Sequence, residues 1–222
     1  MEGLETGRAG QACGEDRDPK RNALTGLWPD ANRAFYASHV WQTVFDPRGR
    51  RVFKYPTDLW AYKELLETVQ PAVIVETGSA EGGSAAWFAD YAEVVSIDPV
   101  QPEKRDKRVH WITGSSTDPD VIARVYERVR GRSCLVTLDS DHDALHVEAE
   151  LEAYAPLVTP GSYLIVEDTA VDVYGIDLEF YPNGGPGVAV ERFLERDNHF
   201  SPDRTCERFM LGMNPGGWLR RI

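Results

Sequence analysis

Cysteine is scarce in this chain of 222 residues: Cys13, Cys134 and Cys206 are far apart and odd in number. That pattern argues against a disulfide framework and against a Cys-x-x-Cys zinc site, and it suits a reducing cytosol, so a cytoplasmic protein is expected. Long apolar runs are missing too. The longest, Ala85 to Ala89, falls far short of the roughly 20 residues that span a bilayer, so no membrane partner is expected. Positive charge is in deficit, with 24 Lys and Arg against 36 Asp and Glu and a net charge of −12. The densest basic cluster, Arg48, Arg50 and Arg51, forms no stripe that could follow a phosphate backbone, which speaks against nucleic acid as a partner. Residues 1–22 carry mixed charge and no apolar signal-type stretch, and they read as a flexible tail.

What is present suffices for a core. Hydrophobic residues make up 42% and charged residues 27% of the chain, values of an ordinary globular domain. With domains usually near 150 residues, one domain over 23–222 is expected. Its middle alternates strand and helix. Strand-like runs occur at Ala72–Val75, Val94–Ile97, Val109–Ile112, Cys134–Leu138 and Tyr163–Val166. Helical patterns occupy Ser84–Tyr91, Asp118–Arg130 and Asp143–Tyr154 between them. Strands joined by helices imply parallel pairing with right-handed crossovers, hence a doubly wound α/β sheet, Rossmann-like over 67–222. Two aromatic clusters, Trp28–Trp41 and Tyr55–Tyr62, predict a helical cap over 23–66 that covers either the sheet edge or a substrate pocket. A glycine-rich loop precedes a helix around Val188–Arg196. The segments Arg208–Met213 and Trp218–Ile222, joined by Asn-Pro-Gly-Gly, read as a C-terminal antiparallel hairpin.

Three strand ends carry chemistry. Glu76-Thr-Gly78-Ser79-Ala-Glu-Gly-Gly-Ser84 follows a strand and opens a helix, where glycines let the backbone approach a ligand; the bland reading is a tight turn. Asp98, 22 residues past Glu76, ends the next strand, where a carboxylate accepts from both hydroxyls of an adenosine ribose. The loop lacks the Gly-x-Gly-x-x-Gly of pyrophosphate binders. An acid before it suits a ligand with a sulfonium and an ammonium, so S-adenosylmethionine is preferred to NAD. Leu138-Asp139-Ser140-Asp141-His142-Asp143 and Val166-Glu167-Asp168-Thr169 end the fourth and fifth strands and should converge with the loop on one rim. Hard oxygen ligands from two strand ends suit Mg²⁺, although Asp141 or Asp143 could merely cap a helix. His142, beside these acids, reads either as the general base or as a satisfied structural histidine. His142 and His146 also raise an iron site of the His-carboxylate-His kind.

The strings TGSAEGGSA, TGSSTDPDVI, LDSDHDALHV, AELEAYAPLVTPGSYLIVEDT and NPGGWLRRI resemble the family of cephalosporin hydroxylase and rhamnosyl O-methyltransferase proteins, from about Pro56 to Ile222. The resemblance implies a class I methyltransferase fold, S-adenosylmethionine, bound Mg²⁺ and O-methylation in natural-product or glycolipid pathways. It implies Glu76, Gly78, Ser79 and Ser84 around the methionine part of the cofactor, Asp98 on the ribose, and Ser115 and Ser116 along the adenosine. The metal falls to Asp141, Glu167 and Asp168, with Asp141 also in the catalytic set. Asp139 stands as a second acid near the cofactor or as the alternative first ligand, and spacing does not choose between the two aspartates. The expectation is an O-methyltransferase acting on a hydroxyl of a small natural product or its sugar, a homo-oligomer. A NAD- or iron-dependent oxidoreductase is the alternative.

Overall fold

Runs of Val and Ile too short to be helices build a single twisted sheet in the computed structural model, which describes residues 27–46 and 48–222. The tail expected over 1–22, with Cys13, lies outside the described residues. Five strands run parallel: β1 (Val73–Thr77), β2 (Glu93–Asp98), β3 (Val109–Thr113), β4 (Cys134–Leu138) and β5 (Tyr163–Val166). Two more, β6 (Phe200–Pro202) and β7 (Trp218–Arg221), complete the order β3-β2-β1-β4-β5-β7-β6, with β7 antiparallel to both of its neighbours. The doubly wound sheet with an antiparallel C-terminal pair is thus present.

Every residue of β1 and β4 is buried, as parallel strands covered on both faces require. Side-chain alternation sorts β1 onto two cores. Val73 and Val75 face a cluster with Val121, Val125 and Val129 of α4 (Pro119–Val129), Val147 and Leu151 of α5 (Ala144–Tyr154), and Phe193 of α7 (Pro186–Arg196). Ile74 faces the other cluster, with Tyr62 and Leu66 of α2 (Pro56–Val69) and Phe88 of α3 (Gly83–Phe88). Local signals start these helices. Asp118 and Asp143 cap α4 and α5 by accepting the N–H of Asp120 and Leu145, and prolines occupy the first turns of α2, α4 and α7.

The cap has two parts with different duties. Helix α2 covers one sheet face, while α1 (Trp28–Ala37) contacts the short α6 (Ala170–Tyr174) beyond the tip of β5. Phe35, Tyr36, Trp41 and Tyr174 pack there around Tyr55, Ala170, Ile176 and Met213.

One expected strand is absent: Arg208–Met213 is irregular, and Phe200–Pro202 pairs with β7 in its place. The reason lies in its backbone partners. Buried Asn32 accepts from Gly212 N and donates to Met210 O, Thr57 donates to Leu211 O, and Asp58 Oδ2 accepts from Met213 N. Groups engaged by the side chains of α1 and α2 cannot also form a ladder.

Trp218 is 1% exposed and meets Tyr62 edge-on at 4.9 Å, joining the antiparallel pair to α2. Trp218→Ala should cost about 3–5 kcal/mol in urea unfolding; a loss below about 1 kcal/mol would contradict this packing.

Candidate active site

Register fixes where the functional side chains meet. Thr77 pairs with Ile97 on one side and Leu138 on the other, and Leu138 pairs with Val166. Asp98, Gly78, Asp139 and Glu167 each follow one of these aligned residues, so four strand tips present them along one rim. The Asp139 N–H donates to Thr77 O and the Glu167 N–H to Leu138 O, which extends the alignment one step past the strands. Gly78 could hardly be another residue: its φ is +83°, and a Cβ there would lie 1.8 Å from the Asp139 carbonyl oxygen.

The glycine loop is held by acids. Asp98 Oδ2 accepts from Ser79 N at 2.8 Å and Ala80 N at 3.2 Å, and its Oδ1 accepts from Val100 N. Beneath the loop, Ser79 bonds Ser96, which donates to Glu76 Oε2 at 2.6 Å. Glu76 is wholly buried and its Oε1 has no partner. Burial pushes its carboxyl up to about 7. Ser84 lies in the first turn of α3. Ser115 is exposed, whereas buried Ser116 bonds His146 Nε2 at 3.0 Å.

At the next two tips a lysine organises the acids. Lys54 Nζ, from the segment before α2, donates to Asp139 Oδ2 at 3.0 Å and Glu167 Oε1 at 2.5 Å. Burial opposes its charge, but Asp139, Glu167 and Glu76 hold it well above the usual lysine value, so the ammonium persists. Glu167 Oε1 also accepts from Tyr62 at 2.6 Å and Thr137 at 3.0 Å. Asp168 has a left-handed φ of 57°, and its N–H is held by Asn214 Oδ1. His142 Nε2 stands 3.5 Å from Asp139 Oδ1 and 3.2 Å from Asp168 Oδ2, yet neither approach has hydrogen-bond geometry, leaving this buried nitrogen without a partner. Although burial opposes its charge, Asp168 and Asp139 raise the imidazole to about 9.

One donor atom from each of Asp139, His142 and Asp168 lies within 4.8 Å of the others. Around a hard cation with ligands at about 2.1 Å, neighbouring and opposite ligands sit roughly 3 and 4.2 Å apart, so small side-chain movements would close this set on an ion. Lys54 occupies Asp139 Oδ2 and leaves Oδ1 to that set, and the bonds to Glu167 all fall on Oε1. The residues fit a divalent cation. Opening from this cluster is a cavity of about 250 Å³, lined by aromatic Tyr36, Trp41, Phe53, Tyr55 and Tyr181 and by acidic Asp58, Asp168 and Asp177.

The sequence profile of the Rhamnosyl O-methyltransferase/CmcI family matches residues 39–222. The chain belongs to this family. A Rhamnosyl O-methyltransferase of Mycobacterium bovis (strain BCG / Pasteur 1173P2) is 32% identical over 204 residues, covering 84% of this chain and 82% of that protein. One from Mycobacterium leprae (strain TN) is 32% identical over 173 residues, 72% of this chain and 74% of that protein. Among solved structures, CmcI with Mg and SAM aligns at a TM-score of 0.59 and 23% identity over 80% of this chain and 76% of that one. The MycE methyltransferase from the mycinamycin biosynthetic pathway, with Mg, SAH and mycinamycin VI, aligns at 0.52 and 16% identity over 88% and 58%. At such identities the two structures speak to fold. As a family member with the class I fold, the chain is an S-adenosylmethionine-dependent O-methyltransferase.

Within this member of the Rhamnosyl O-methyltransferase/CmcI family, the rim gathers Glu76, Gly78, Ser79, Asp98, Asp139, His142, Glu167 and Asp168. It does not gather Asp141. That residue is exposed, and its Oδ1 accepts the Asp143 N–H in the turn into α5, so the acid expected as metal ligand and catalytic group stands outside the cluster. Asp143 is a helix cap. The iron set is not assembled either: His146 Nε2 faces Ser116 and Ser140, and Ser140 in turn donates to buried Glu150. Sequence reasoning missed Lys54, whose only sign was a cation between Phe53 and Tyr55 in an aromatic stretch.

Glu76 carries a pH prediction. Its folded pKa of about 7 exceeds the ordinary 4.5, so its favourable contribution is complete below the unfolded value and is lost as pH rises through the folded one. Urea unfolding of Glu76→Gln against the parent should shift in favour of the variant between pH 4.5 and 8, by up to about 3 kcal/mol. Parallel pH profiles for the two proteins would contradict it.

Proposed function

We propose that the chain transfers the methyl group of S-adenosylmethionine to a hydroxyl of a sugar, free or carried by a small natural product, with Mg²⁺ held by Asp139, Glu167 and Asp168 beside the acceptor oxygen. The observation that carries this is the cluster of Asp139, His142 and Asp168 at the tips of β4 and β5, with Glu167 next to Asp168, open to the aromatic cavity and one strand from the glycine loop. Asp139 takes the place first expected for Asp141. The family relatives named for rhamnose methylation support a sugar acceptor, and aromatic walls with acidic groups suit a ring of C–H faces and hydroxyl edges.

On the donor side, Glu76, Gly78, Ser79 and Ser84 surround the methionine end, Asp98 takes the ribose, and Ser115 and Ser116 border the adenosine. The unpartnered Glu76 Oε1 is an acceptor suited to an ammonium. The cation, when bound, supplies a Lewis acid that lowers the acceptor hydroxyl pKa. His142 Nε2 accepts the hydroxyl proton. Without a cation, Asp139 and Asp168 keep this imidazole protonated; when those acids are engaged elsewhere, the nitrogen is free to act as base. Aromatic walls fix the acceptor ring so that one oxygen is aligned with the methyl group, and this positioning accounts for much of the rate.

The test is transfer of labelled methyl to simple rhamnosides. Asp168→Ala should lower kcat by about 100-fold or more while S-adenosylmethionine affinity stays within about threefold. Undiminished turnover in chelator-treated buffer would remove the cation from the mechanism.

A further inference from the structure

Buried hydroxyls in folded proteins are hydrogen-bonded with few exceptions, and each exception asks for a reason. Tyr55 is such an exception. It is 1% exposed, its ring is fixed edge-on against Phe35 at 4.6 Å, and its Oη has no partner. The residue lines the cavity beside the acid cluster, together with Asp58. Asp58, in the first turn of α2, uses Oδ2 to accept the Met213 N–H, while its Oδ1 has no partner among the described residues. Burial and the charges of Asp58 and Asp168 keep the Tyr55 phenol protonated, so its O–H remains a donor.

An unmatched O–H donor and a buried acid, whose carboxyl burial pushes up to about 7, line one cavity and suit a group that accepts one hydrogen bond from the phenol and shares another with the acid. A carbonyl only accepts and an ammonium only donates; a hydroxyl does both. The reacting hydroxyl already has its partners, His142 and the acids of β4 and β5. We propose that Tyr55 and Asp58 bind a second, non-reacting hydroxyl of the acceptor, so that the enzyme selects polyhydroxylated acceptors and presents one defined hydroxyl for methylation. This rests on the methyl-transfer reading above.

The decisive variant is Tyr55→Phe, which keeps the ring and removes only the unpartnered oxygen. The probes are methyl α-L-rhamnopyranoside and its 2-, 3- and 4-monodeoxy analogues, at saturating S-adenosylmethionine. In the parent enzyme, one analogue that retains the reacting hydroxyl should lose about 100-fold or more in kcat/KM, because a site built around a hydroxyl rejects its absence strongly. Tyr55→Phe should raise KM for the rhamnoside at least about tenfold and no longer separate it from that analogue. Its melting temperature and its affinity for S-adenosylhomocysteine should match the parent's. Unchanged KM with unchanged discrimination would overturn the proposal alone, as would a melting temperature several degrees lower, which would reveal an internal partner for the hydroxyl. Failure of the parent to methylate any of these glycosides would overturn both this proposal and the sugar reading on which it rests.

Discussion

Two carboxylates at adjacent strand tips repel, and the rest of the site depends on how that repulsion is met. Burial, with the charge of Asp139, pushes the Glu167 carboxyl up to about 8 even beside Lys54. The Lys54 ammonium meets the repulsion by bonding one oxygen of Asp139 and one of Glu167. The bridge takes Oδ2 of Asp139 and leaves Oδ1 beside His142. Lys54 is supplied by the segment that leads into α2, so the cap helps to form the site as well as to cover it.

The sheet separates the two halves of the reaction. In the proposed reaction, tips of β1 and β2 hold the glycine loop and Asp98 for the donor, while tips of β4 and β5 hold the acids for the acceptor. Strands β1 and β4 are neighbours, so donor and acceptor ends meet at a single seam, where Gly78 lies against the Asp139 backbone. Beyond that seam the acceptor wall is built largely from residues outside the parallel sheet: α1, the Val40–Thr43 turn, and the loop after β5.

Much of this was legible in the sequence because short apolar runs and helical patterns are local. Cys134–Leu138 and Tyr163–Val166 are strands with the expected bounds, and Asp98, Asp139 and Asp168 reach the rim that parallel strands require. Three features resisted. Asp139 and Asp141 differ only in how the chain turns after β4: Asp141 is exposed and accepts the Asp143 N–H, whereas Asp139 bonds Lys54. Arg208–Met213 is apolar enough to read as a strand, but partners on α1 and α2 claim its backbone. Lys54 takes its meaning from acids 85 and 113 residues away, a relation that no local pattern contains.

The central claim, that the bridged acids leave a ready site for one divalent ion, is tested most directly by titrating Mn²⁺ into the protein and following its electron paramagnetic resonance. The account predicts one ion per chain, weakened strongly by Asp139→Asn and hardly at all by Asp141→Asn. Binding that survives Asp139→Asn but fails in Asp141→Asn, or no bound ion at millimolar Mn²⁺, would contradict it.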